Sequence, residues 1–128
     1  MSFGTVVNCI DGGVQLPVIE FLKRRFKADD VDCITEAAPV RILAGETNRR
    51  QVQSIIDRID ISIKNHKSKG IAIVAHHDCA DNAVDKQKQH ELLDISVKFI
   101  RGQYPAIETI GLWVDEKWVV SEIPSRSV

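Results

Sequence analysis

Ile71-Ala-Ile-Val-Ala-His-His-Asp-Cys-Ala80 is an apolar run of strand length that stops abruptly on two histidines, an acid and a cysteine. A short run that is apolar on both faces is the pattern of a buried parallel strand, and in parallel sheets the ligand-binding side chains gather beyond the carboxyl ends of the strands. His76 and Cys79 are spaced to share one metal ion. A second cysteine ends a similar run, Thr5-Val-Val-Asn-Cys-Ile-Asp11, and it reaches the same edge if the two strands are neighbours.

On either side of that run, helical and extended patterns alternate. Val52, Ile55, Ile56, Ile59 and Ile63 repeat at helical period ahead of it, with Thr47 or Asn48 as the cap and Lys69-Gly70 as the close. Beyond the loop Asp78 to Asp85, Asp85 caps a helix with an inner stripe of Leu93, Val97, Ile100 and Tyr104, and Pro105 stops it. At the front of the chain, Asp11-Gly-Gly13 breaks the first strand. Pro17 suits the first turn of the helix that follows, which buries Val18, Phe21, Leu22 and Phe26. Val31 to Thr35 reads as a second strand, and Val40 to Ala44 as a brief extended piece or a turn of helix ended by Gly45. Thr109 to Val114 and Trp118 to Ile123 flank Asp115-Glu-Lys117 as a hairpin in which Trp113 and Trp118 face each other across the strands, and Pro124 onward is a tail. This order predicts an α/β fold of three layers, a mostly parallel central sheet flanked by helices with a C-terminal hairpin, as one domain over 1–128.

Composition excludes several classes of function. The 17 basic and 18 acidic residues leave a formal charge of -1, so there is no electrostatic footprint for nucleic acid or an anionic membrane. No apolar run approaches the roughly 18 to 20 residues that span a bilayer, and the first residues lack the pattern of a secretory signal. The expectation is a cytoplasmic protein. Three cysteines, an odd number, then favour thiols or thiolate ligands over a disulfide framework. Cys33 belongs to no motif and is expected in the core.

Zinc takes thiolate and imidazole ligands in a tetrahedron, and a catalytic ion keeps one position open. Cys9, His76 and Cys79 supply two thiolates and one imidazole, with Asp11 two residues beyond the first ligand. Cys9-Ile-Asp11 followed far downstream by His76-His-Asp-Cys79 resembles the β-class carbonic anhydrases, which carry Cys-x-Asp-x-Arg at the first strand end and His-x-x-Cys at the third. Arg41-Ile-Leu-Ala-Gly45 is similar to an arginine-containing segment of that family ending in Ala-Gly. The resemblance spans roughly Thr5 to Leu93, in the form of a short branch without the N-terminal helices of the full enzymes.

The resemblance implies zinc as cofactor, carbon dioxide and bicarbonate as substrate and product, and a homodimer as a possible assembly. It makes Asp11 the residue that orients the attacking hydroxide, and an arginine two residues later the one that holds the aspartate off the metal. Here that position is Gly13. Without a guanidinium partner, Asp11 is expected to swing onto the metal as a fourth ligand, giving a closed or weakly active centre. Gln15, Arg41 and Gly45 are the substrate-side candidates. Ala80-Asp81 also departs from the glycine usual after the last cysteine.

The same residues fit other readings. Asp11 can serve as a helix cap, and Gly12-Gly13 with the helix behind them can form an anion site. His77 points away from His76 if the strand persists. His90 reads as a solvated helix histidine, and His66 as a cation at a helix C-terminus. A non-catalytic zinc- or anion-binding module on the same fold is the second reading. A thiol enzyme using Cys9 is the third, weakened because the arginine such enzymes place six residues on is Gln15.

Overall fold

The computed structural model describes residues 1–45, 48–77 and 85–124. Strand and helix alternate as β1 (Phe3–Cys9), α1 (Gln15–Arg25), β2 (Asp30–Glu36), α2 (Pro39–Leu43), α3 (Arg49–His66), β3 (Gly70–His76), α4 (Lys86–Gln103), β4 (Glu108–Val114) and β5 (Val120–Ile123), with a 3-10 turn at Gly12–Val14. One sheet holds all five strands in the order β2-β1-β3-β4-β5. The first four run parallel, and β5 pairs antiparallel with β4. No helix of the described residues is long and apolar enough to cross a membrane.

Two-residue alternation along the inner strands divides the core into two layers. Ile71, Ile73 and Ala75 pack with Ile55 and Ile59 of α3 and with Leu92, Leu93, Val97 and Ile100 of α4. Ala72 and Val74 pack on the other face with Val18 and Leu22 of α1. The chain leaves β1 for β2 on one side and then crosses back, through α2 and α3, to β3 on the other. The order therefore reverses between β1 and β3, whose register pairs Thr5 with Ile71 and Val7 with Ile73. That reversal opens a crevice at the carboxyl edge between these two strands, the place where α/β sheets hold ligands. Cys9 and His76 are the last residues of the two strands.

A close approach at the opposite edge shows how tightly this core is built. A Cβ at Gly70 would stand 2.5 Å from the ring of Phe26, a buried side chain with no room to retreat. Gly70→Ala is therefore expected to cost about 1–3 kcal/mol by overpacking. Gly102, within α4, has nothing within 4 Å of the same position. Gly102→Ala should gain several tenths of a kcal/mol, up to about 1, from helix propensity. Urea denaturation of the two variants should give midpoints displaced in opposite directions.

Of the two readings of Val40 to Ala44 the helical one holds: Pro39–Leu43 form a helix behind Ala38 at φ 54. Three sequence expectations change. The helix before β3 ends at His66 with Lys67 in the left-handed conformation, three residues ahead of Gly70. Cys33 is exposed on β2 and is no core residue, because β2 is an edge strand. In the hairpin, Trp113 lies opposite Ser121, so it does not face Trp118, which sits in the turn before β5 at φ 62. His66 sits at a helix end as expected, and it also bonds Asp32 Oδ2 at 2.6 Å and stacks on Phe3.

Candidate metal centre

His76 closes β3 in a position that is 2 % exposed. Its Nδ1 lies 2.7 Å from the carbonyl oxygen of His77, the geometry of an N–H donating to a carbonyl, while Nε2 is buried with no hydrogen-bond partner among the described residues. A neutral imidazole with Nδ1–H committed to a backbone carbonyl carries its lone pair on Nε2, which is how protein scaffolds prepare a histidine for a metal. Burial alone pushes the imidazole pKa down. Hydrogen bonding and charge interaction with Cys9, the His77 carbonyl and the Asp11 carboxylate together outweigh it, and the net direction is up.

Cys9 ends the neighbouring strand and is 4 % exposed. Cys9 and His76 thus meet at one sheet edge, and a thiol beside an imidazole lone pair is a donor set suited to zinc. Asp11 lies at the rim, half-buried, with Oδ1 accepting the Gly13 N–H at 2.9 Å. Its cap role is therefore real. The carboxylate also has a restraint that the sequence does not show, one backbone N–H in place of a guanidinium. Gln15 braces the same turn, its Nε2 donating to Cys9 O at 2.6 Å and to Asp11 O at 3.0 Å.

The missing side chain at Gly13 is replaced by an aromatic ring from the far end of the chain. A Cβ there would stand 2.4, 2.6 and 2.9 Å from Cη2, Cζ3 and Cζ2 of Trp118. The indole also meets the His77 ring edge-on, with centroids 4.9 Å apart. No sequence signal pointed to Trp118, since its contact depends on the turn conformation and on strand order.

The remaining candidates fall in different places. Cys79 lies outside the described residues. Arg41 is on the exposed face of α2, and Gly45, at φ 88, ends the turn behind it. His90 is half-buried, its ring 4.6 Å from that of Trp113, and so is not simply solvated. Among the described residues no three His, Cys, Asp or Glu side chains are gathered as a metal set. The geometry on view is two donors, Cys9 and His76, with Asp11 beside them.

Residues 1–124 match the family described as "Putative carbonic anhydrase", and the chain belongs to that family. Solved structures agree at the level of fold. One of two tetrameric β-carbonic anhydrases from the filamentous ascomycete Sordaria macrospora superposes with a TM-score of 0.66 at 11% identity, covering 100% of this chain and 84% of that one. The β-carbonic anhydrase CafA of Aspergillus fumigatus gives 0.65 at 11% identity, over 97% and 76%. Isoform I from the protozoan Trichomonas vaginalis gives 0.61 at 14% identity, over 94% and 81%. No curated protein sequence matches the chain.

Proposed function

We propose that this chain is a zinc protein that hydrates carbon dioxide reversibly to bicarbonate, with turnover held low by the glycine at position 13. The observation that carries the reading is the His76 imidazole, buried beside Cys9 with Nδ1 tied to a carbonyl and Nε2 left over. Cys79 is the second thiolate of this reading. When bound, zinc supplies the Lewis acidity that makes hydroxide available near neutral pH. Asp11, whose Oδ1 accepts the Gly13 N–H, would supply a carboxylate ligand to a bound zinc and so close the site. Arg41 and Gly45 are the substrate-side residues, and Gln15 acts at one remove by holding the backbone of Cys9 and Asp11. The reading extends to a homodimer, for which exposed Ile10 and Leu16 offer apolar surface next to the turn; light scattering reads the assembly.

Metal analysis of the purified protein, followed by stopped-flow hydration between about pH 7 and 9, is the test. Stoichiometric zinc is expected, with slow hydration. Gly13→Arg alone gives no gain because the indole fills the space its side chain needs, whereas Gly13→Arg combined with Trp118→Gly should exceed the parent rate. A protein that takes up no zinc ends this reading. Zinc without hydration in either form favours the second one, a non-catalytic zinc- or anion-binding module. The commitment of the Gln15 amide to backbone carbonyls supports that module.

A further inference from the structure

Trp118 occupies an unusual place. It is a bulky residue at φ 62, a conformation that costs an L side chain energy and persists only where its surroundings over-determine it. The surroundings here do so. Asp115 Oδ1 accepts N–H groups from Lys117 at 2.9 Å and Val119 at 3.0 Å, and Trp118 N–H donates to Asp115 O at 2.9 Å. The turn between β4 and β5 thus fixes the backbone from which the indole projects, although the residue is 41% exposed. What the ring touches gives the strain a purpose. One side lies on Gly13, whose N–H holds the Asp11 carboxylate; the other meets His77, whose carbonyl holds His76 Nδ1. A single side chain therefore rests on the braces of both strand ends at the candidate metal centre.

We propose that Trp118 is a positioning residue of the metal centre, a clamp that takes the volume of a side chain at position 13 and fixes Asp11 relative to His76. The proposal rests on the zinc reading above. It also accounts for glycine at position 13, because any Cβ there displaces the ring. The indole acts on the metal through its neighbours and is not itself a ligand. Its removal therefore has the effect of losing an outer-shell partner, a drop of about 10- to 100-fold in zinc affinity.

Four variants read this out, each with zinc affinity of the apoprotein measured by competition with a chromophoric chelator and folding followed by circular dichroism. Trp118→Gly removes the ring and relieves the strained φ, so the turn keeps its conformation while zinc affinity falls. Gly13→Ala pushes the exposed indole outward and should lower affinity by a similar factor. Because both act on one contact, the double variant should bind zinc no more weakly than the worse single variant. Trp118→Phe should recover most of the affinity. Zinc bound equally by parent and Trp118→Gly overturns the clamp and leaves the zinc reading intact, as do fully additive losses in the double variant. A parent that binds no zinc overturns both.

Discussion

Zinc affinity should fall by at least about 100-fold in His76→Ala, because structural zinc sites are worth roughly 10–16 kcal/mol shared among four ligands, or about 3 kcal/mol for each. The structure makes this residue more than one ligand among several. Its Nδ1 is already paired with the His77 carbonyl and its Nε2 is already dehydrated, so neither orientation nor desolvation must be arranged when the metal arrives. The neighbouring histidine provides the contrast. His77 meets the Trp118 ring edge-on but holds His76 through its backbone carbonyl, which His77→Ala keeps, so this variant should lose less than the about 10- to 100-fold of a deleted outer-shell partner. Isothermal titration of the two apoproteins with zinc separates them. Equal losses would mean that the ligand is not the histidine that closes β3.

That contrast was legible in the sequence because His76 and Cys9 each end an apolar run, and an apolar run that stops on a polar residue marks a strand end at a sheet edge. Strand order was less legible. Nothing in Val31-Asp-Cys-Ile-Thr35 says whether the strand is central or at an edge, so the exposure of Cys33 is not legible in it. The same limit applies to the tryptophans. A hairpin register is set by the turn, and a one-residue slip exchanges the faces of every side chain. Here Asp115 accepts two backbone N–H groups and draws the chain into a turn that sets Val114 opposite Val120, so Trp113 goes inward to His90 and Trp118 goes to Gly13.

The site shows the same division. A departure such as Gly13 can be seen in a sequence, but what fills the vacated volume comes from wherever the chain returns. The expectation of an unrestrained Asp11 followed from counting side chains. The restraint that the structure supplies is a backbone N–H, a donor that every residue except proline carries and that no motif records. Helix faces are the opposite case, because their period is fixed by local geometry and needs no knowledge of the partner.

Ile59→Ala and Ile61→Ala test that period within one helix. Ile59 is fully buried against the sheet with Ile55, Ile71 and Ile73, so its truncation should cost about 2–5 kcal/mol through lost transfer energy and the cavity left behind. Ile61 is 57% exposed on the same helix. Two residues further along an α-helix is a rotation of about 200°, which carries the side chain from the core to water. Its replacement should stay within about 0.5 kcal/mol, helped by the better helix propensity of alanine. Urea midpoints at unchanged m-value read both differences. Similar costs at the two positions would mean that α3 presents a different face to the sheet. Val52, Ile56 and Ile63, which pack partly buried against the same cluster, would then be on the wrong side as well.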